Sequence, residues 1–155
     1  MNAPSPLNDF HALRVKRMLD SYRRLTGHEL IAPRAGPVAD GMALYDAPFA
    51  VACHGTESDP LFDYGNKTMV SLFELTWDTF IGAPSKQTAE TAEREERQRL
   101  LDEVSSKGFI DDYAGVRVTS AGRRFSIKRA TVWNVTDENN KLVGQAATFS
   151  EWDFL

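Results

Sequence analysis

The residues of this chain that could do chemistry are few and lie far apart. Its single cysteine, Cys53, and its three histidines, His11, His28 and His54, show no zinc-site spacing. No GxSxG elbow, Walker loop or dinucleotide fingerprint is present, so nucleophilic catalysis finds no support. An isomerase or dehydratase would need a carboxylate–imidazole pair, and His54 with Asp63 is the one pair to consider. We expect no enzyme, and we keep this pair as the weakest hypothesis.

One charged side chain stands in apolar surroundings. The segment Arg123–Val135 alternates with a period of two, which indicates a strand and puts Arg129 on the apolar face. That face carries Phe125, Ile127, Thr131, Trp133 and Val135. A buried guanidinium is costly unless it is paired. The pattern predicts a salt bridge to Asp63 or Asp111, or a bidentate contact to a carboxylate or phosphate of a ligand.

This strand belongs to a predicted meander that organises the chain. Three antiparallel strands, Tyr113–Thr119, Arg123–Val135 and Lys141–Phe149, are separated by short turn segments at 120–122 and 137–140. Two shorter strands are predicted upstream, at 49–54 and 61–64. The expected sheet therefore has five strands.

The helices are placed by their capping signals. Asn8 is the predicted N-cap of an amphipathic helix ending at Thr26, and residues 28–48 read as a connector with little regular structure. Asn66 and Thr76 are predicted to cap two short helices. A longer, exposed helix is expected from Ser85 to about Ser106, with Glu–Arg pairs four residues apart: Glu90/Arg94, Glu93/Arg97 and Glu95/Arg99.

Strands and helices segregated in this way predict an α+β fold, with short helices on one face of an antiparallel sheet and an N-terminal amphipathic helix. We divide the chain into an N-terminal helix and connector, residues 1–46, and a main domain, residues 47–155. The helix could lie on this domain or form a homodimer contact, and its apolar stripe serves either role.

The composition of the chain indicates its size class, its partners and its compartment. The 155 residues suit a single core, and a net charge of −4 gives no sign of nucleic-acid binding. No apolar run approaches the roughly 20 residues that span a bilayer. A lone cysteine and the lack of an apolar leader favour a reducing cytoplasm.

Several segments of the chain, together with their order, resemble those of a known family. The order of elements and the junction Leu61–Lys67 resemble the PAS domain. More specifically, the chain is similar to the MEKHLA domain, a PAS-like family found in plant homeodomain-leucine-zipper proteins and in free-standing bacterial proteins. The matching stretches are 60–66, 73–77, 84–85, 108–117, 122–125, 132–134 and 144–147. In the plant proteins the family regulates dimerisation, and no zipper or homeodomain is visible here.

The resemblance implies a cavity between the sheet and the short helices. The predicted ligand-binding residues are Phe73, Trp77, Arg117, Arg129, Trp133, Asn134 and Gln145, with Trp77 as a lid; the aromatic ones could equally fill a core. Cys53 and the histidines precede the helical region, so a flavin–cysteine adduct and haem are not expected. The cofactor stays unknown, with non-covalent flavin, a small acid or an aromatic compound open. The leading hypothesis is a sensory module with a small-molecule ligand that signals through protein association, and the alternative is a ligand-free interaction module.

Overall fold

The protein is represented by a computed structural model that describes residues 1–89 and 94–155, without the side chains of Arg94 and Arg97. The strands are β1 (Ala50–His54), β2 (Phe62–Gly65), β3 (Phe109–Val118), β4 (Arg124–Thr136), β5 (Leu142–Phe149) and β6 (Glu151–Phe154). They form one antiparallel sheet in the order β2-β1-β5-β4-β3, with β6 also paired to β4. The expected five-stranded antiparallel sheet is confirmed, and β6 continues β5 beyond Ser150.

A β-bulge in β4 changes which residues share a face. Lys128 and Arg129 together oppose the single residue Ala114 of β3, and Arg129 has a left-handed backbone with φ of 53°. Phe125 and Ile127, which precede the bulge, therefore share the inner face with Ala130 and Val132, and these four residues belong to one buried cluster. Trp133 and Val135 lie on the outer face and belong to the other buried cluster. The prediction of one uninterrupted apolar face is wrong, because alternation was carried across the inserted residue.

The N-terminal helix covers the outer face of the sheet. Helix α1 (Ala12–Thr26) ends at Gly27, whose φ is 77°, as the sequence indicates. It buries Val15, Met18 and Leu19 completely against the sheet. The predicted Asn8 cap is wrong: Ser5 caps a 3-10 helix at Pro6–His11, and α1 begins only after three residues in left-handed conformation.

The segment predicted as an irregular connector contains helix α2 (Pro37–Tyr45). Proline suits the first turn of a helix because its missing N–H would be unpaired there. Asp40 is buried and accepts hydrogen bonds from Arg34 Nε at 2.6 Å and from Ala35 N at 2.8 Å. Arg34 also bonds to Asp20 of α1 at 3.1 Å, so this ion network ties α2 to α1.

Short helices cover the inner face. Helix α3 (Lys67–Leu72) and helix α4 (Trp77–Phe80) start at the predicted caps: Asn66 accepts from Met69 N at 3.0 Å, and Thr76 accepts from Thr79 N at 3.3 Å. Asn66 also donates to the carbonyls of Leu44 and Phe49. Both capping predictions are confirmed, because a cap is a local signal.

The predicted helix from Ser85 is interrupted. A 3-10 turn at Ser85–Thr88 is followed by Ala89 in an extended conformation bridged to Arg117, and helix α5 is Arg94–Lys107. The predicted pairs Glu90/Arg94 and Glu93/Arg97 lie outside the described residues. Arg99 bonds Glu96 and Asp112, each at 2.8 Å, rather than the predicted Glu95. No helix of the described chain is long and apolar enough to cross a membrane.

Candidate ligand-binding cavity

A cavity of about 760 Å³ lies between the inner face of the sheet and the short helices, partly open to solvent. Its apolar wall comes from Phe62, Met69, Phe73, Leu100, Tyr113, Ile127 and Phe149. Ligand pockets in proteins typically enclose about 300–1,000 Å³ and are largely apolar with a few polar groups. The size and lining of this cavity fit that description.

The floor of the cavity is flat because small side chains meet on three adjacent strands. Ala52 of β1 pairs with Ala147 of β5, which pairs with Val132 of β4. All three line the cavity, together with Ala130. Since larger side chains at these positions would reach the helical layer, the short ones keep the space open.

Polar groups stand at two ends of this floor. His54 and Gln145 are paired across β1 and β5 at one end, and both line the cavity. His54 Nδ1 lies 2.8 Å from the carbonyl oxygen of Gly55, and because a carbonyl only accepts, Nδ1 carries the proton. Arg117 stands at the other end, on the edge strand β3.

The guanidinium of Arg117 folds back along its own strand. It lies 5.8 Å from the centre of the Tyr113 ring, and Nη1 donates to the carbonyl of Val116 at 3.1 Å. A Cβ atom at Gly115 would stand 3.1 Å from Nη1, so the glycine leaves the room that the guanidinium occupies. Within the described part of the chain, no carboxylate lies in salt-bridge range of Arg117, which is half-buried.

The structure places some of the predicted site residues at the cavity and the others elsewhere. Phe73, Arg117 and Gln145 line the cavity. Asn134 lies on the same face as Gln145, its cross-strand partner, and donates to the carbonyl of Val104 at 3.4 Å. A ligand-binding role for these four stays a prediction.

The remaining three predicted residues lie elsewhere. Trp133 is fully buried on the outer face, where its Nε1 donates to the carbonyl of Met18 at 3.1 Å. Trp77 donates to the carbonyl of Met1 and packs edge-on against His11 and Tyr64, so it does not form a lid over the cavity. Arg129 is exposed at the bulge, so it is not the buried guanidinium that the pattern predicted.

The sequence hypotheses on Asp63 are also corrected. Its carboxylate pairs with Arg14 of α1 on the outer side, not with Arg129 or His54. The carboxylate–imidazole pair required by the enzyme hypothesis is therefore not formed. Near the Arg14–Asp63 ion pair, burial raises the pKa of the Cys53 thiol to about 12, and the charge of Arg14 only partly opposes this effect. A thiol of this kind stays protonated and unreactive at neutral pH.

Sequence reasoning missed the alanine floor and the Tyr113–Arg117 contact. The signal for the floor was available as the neighbouring pair Ala146-Ala147, which stands between the larger residues Gln145 and Thr148 of the strand. Their opposite roles follow from strand alternation: Ala146 belongs to the buried cluster beneath α1, and Ala147 packs against the cluster on the cavity side.

Solved structures show which class of fold this is. A PAS domain from Colwellia psychrerythraea has a TM-score of 0.62 at 14% identity, over 76% of this chain and 94% of that one. An RNA-binding light-oxygen-voltage receptor has a TM-score of 0.62 at 16% identity, over 77% of this chain and 36% of that one. The fold is that of PAS domains.

The family follows from the sequence. The MEKHLA domain model matches residues 12–154, and the chain belongs to the MEKHLA domain family. It is 27% identical to homeobox-leucine zipper protein ATHB-9 of Arabidopsis thaliana over 114 residues, which is 72% of this chain and 14% of that protein. The chain thus spans about one seventh of that relative's length.

Proposed function

We propose that this chain is a PAS-like sensory module that binds a small molecule in the cavity between the sheet and the short helices. The observation that carries the proposal is the cavity itself, with an alanine floor and polar groups at two ends. Structural neighbours that include a light-oxygen-voltage receptor fit a sensory role. A single cysteine, which leaves no internal disulfide, fits a protein that works in a reducing cytoplasm.

The output we propose is a change in protein association. The floor strands β1, β4 and β5 separate the cavity from α1, because the same strands carry alanines inward and Val51, Cys53, Trp133 and Ala146 outward. A ligand that shifts these strands would change the packing of α1, whose apolar stripe is a candidate homodimer contact once it is released. The domain division at residue 46 would then separate the responding helix from the sensing domain.

A ligand-free interaction module is the second candidate. The observation that favours it is an exposed apolar pair on α2, Val38 and Met42, one turn apart and each almost half exposed. Leu7 on the preceding 3-10 helix is almost fully exposed as well. In this case the cavity would be incidental, and the surface formed by these residues would bind a partner.

The experiment that separates the two candidates is a search for a bound compound. The full chain is purified from cells and denatured, and the supernatant is analysed by absorbance and mass spectrometry. Ala147→Leu fills the floor, whereas Ala114→Leu makes the same change at an exposed position of β3. We expect the wild type and Ala114→Leu to release the same compound and Ala147→Leu to release none.

Absence of any compound from the wild type, with a cavity that also rejects added ligands, would remove the sensor proposal and leave the interaction module. Light scattering on the full chain, with and without the released compound, then tests the output. We expect the mass per particle to change on binding, and an unchanged mass would contradict signalling by self-association.

A further inference from the structure

The charged lining of the cavity is unbalanced. Apart from His54, the charged side chains among the described lining residues are Asp59, Lys86 and Arg117. Lys86 and Asp59 pair with each other at 3.5 Å at the mouth, where both are more than half exposed. Among the residues that the structure describes, no carboxylate pairs with the positive charge of Arg117.

Arg117 differs from three other arginines of the described chain in the kind of partner that it has. Arg14, Arg34 and Arg99 each hold at least one carboxylate, at Asp63, Asp40 and Glu96 respectively. Within the described residues, Arg117 makes one hydrogen bond, to the backbone carbonyl of Val116, and a contact with the ring of Tyr113. A half-buried guanidinium has five N–H donors and cannot lose its charge, so most of its binding capacity remains available.

The distance between the polar ends limits the shape of what could bind there. Arg117 on β3 and His54 on β1 are three strand positions apart, which is about 14 Å across a sheet. They also lie at opposite ends along the strands, because Arg117 pairs with Phe125 whereas Gln145, the partner of His54, pairs with Asn134. The stretch of β4 from Phe125 to Asn134 adds roughly 25 Å, at about 3.3 Å per residue with one residue taken up by the bulge. Between them lie Ala52, Ala130, Val132 and Ala147, which offer no hydrogen-bonding side chain. A molecule that contacts both ends must therefore be elongated, with an apolar middle.

We propose that the cavity takes an elongated, apolar carboxylic acid, with its carboxylate on Arg117 and its apolar part along the floor in the direction of Gln145 and His54. This inference rests on the proposed function. The flat fork of one guanidinium matches the two oxygens of one carboxylate. A phosphate group carries up to two charges and three acceptor oxygens, which is more than this single cation balances.

The geometry around Arg117 is suited to this role. Tyr113 and the space over Gly115 hold the guanidinium on the cavity side of β3, where its cross-strand partner Phe125 also points inward. A carboxylate approaching along the floor would replace the weak contact to Val116 with charge-assisted hydrogen bonds. The ring of Tyr113 would then line the wall beside the ligand.

The test compares two probes that differ only in charge. Binding of biphenyl-4-carboxylate and of its neutral amide, biphenyl-4-carboxamide, is measured by isothermal titration calorimetry on the full chain. We expect the wild type to bind the acid at least about tenfold more tightly than the amide, since hydrogen bonds to charged groups contribute more than neutral ones. In Arg117→Gln this preference should disappear.

Two further variants make the result specific. Arg129→Gln removes an exposed cation from the neighbouring strand, and we expect it to keep the full preference for the acid. Arg117→Lys keeps the charge without the fork, and it should retain only part of the preference. Thermal unfolding of each variant shows that the fold is intact.

The outcomes separate this inference from the proposed function. Equal binding of acid and amide by the wild type would overturn the carboxylic-acid inference while leaving a cavity that binds ligands. Failure of both probes to bind would also overturn it, and the compound-release experiment with Ala147→Leu would then decide the sensor proposal by itself. Loss of the preference in Arg129→Gln would assign the effect to general charge and contradict a role for Arg117.

Discussion

The two faces of the sheet are built from the same strands but are packed in opposite ways. On the outer face, Val15, Met18 and Leu19 of α1 close over Trp133 with no accessible surface remaining on any of the four. On the inner face, short helices and an alanine floor enclose about 760 Å³ of space. Protein interiors are normally close-packed, so the unfilled face is the exceptional one. The contrast indicates that one face holds the fold together and the other is available for binding.

The largest effect should come from emptying the packed face. Trp133→Ala removes a fully buried ring and its hydrogen bond to Met18, and we expect a loss of about 3–5 kcal/mol in the free energy of unfolding. Phe73→Ala, on the cavity side, should cost less because that ring already borders open space. Urea unfolding followed by circular dichroism measures both. A larger loss for Phe73→Ala would reverse the assignment of the two faces.

Two neighbouring alanines of β5 allow the packing of the two faces to be compared by the same substitution. Ala146 is 1% exposed in the outer cluster, whereas Ala147 packs against the cluster on the cavity side. Ala146→Leu should overpack the outer core and destabilise the protein by about 1–3 kcal/mol. Ala147→Leu adds the same atoms to empty space, so its stability should stay close to that of the wild type. The same urea titration serves, and equal losses would show that the cavity is closed in solution.

Acid should loosen the outer layer through Asp40. Burial opposes ionisation of this carboxyl, but hydrogen bonds from Arg34 and Ala35 outweigh it and hold its pKa below the usual value. A depressed pKa in the folded state stabilises the protein above the unfolded pKa of about 4, and this contribution is lost as the pH falls further. Unfolding measured between pH 7 and pH 2 should therefore show a steeper loss in the wild type than in Asp40→Asn. Parallel curves for the two proteins would contradict this role.

The mildest probe leaves the fold unchanged and compares accessibility. Native Cys53, buried with a pKa raised to about 12, should resist iodoacetamide at pH 8 and react after unfolding. A cysteine placed in the cavity by Ala147→Cys, in a Cys53→Ser background, should react in the folded protein. Mass spectrometry of the modified chains gives both rates. Rapid labelling of native Cys53 would show that α1 does not seal the outer face.

The sequence predicted the features that depend on local signals. Asn66 and Thr76 cap α3 and α4 because a side-chain oxygen three residues before a free N–H acts independently of the rest of the fold. The alternating pattern also gave the meander of β3, β4 and β5. Helix α2 was missed because the ion pair that ties it to α1, between Arg34 and Asp20, is a tertiary contact that no local signal reveals.

The lining of the candidate cavity was predicted in part, and the bulge explains why Trp133 and Arg129 were misplaced. Phe73, Arg117 and Gln145 were placed on the cavity side, but Trp133 was assigned to it through an alternation that stops at Arg129. A non-glycine residue with positive φ carries no pattern that a single sequence reveals. One inserted residue therefore moved Trp133 from the cavity to the core beneath α1.

The most direct measurement is a crystal structure of the full chain purified from cells without added ligand. We expect the space between Phe73, Ala147 and Arg117 to hold continuous density that is not protein, with one end against the guanidinium. A cavity closed by the side chains of Met69, Phe73 and Phe149, with no space for a ligand, would contradict the proposal that this face of the sheet is a binding site.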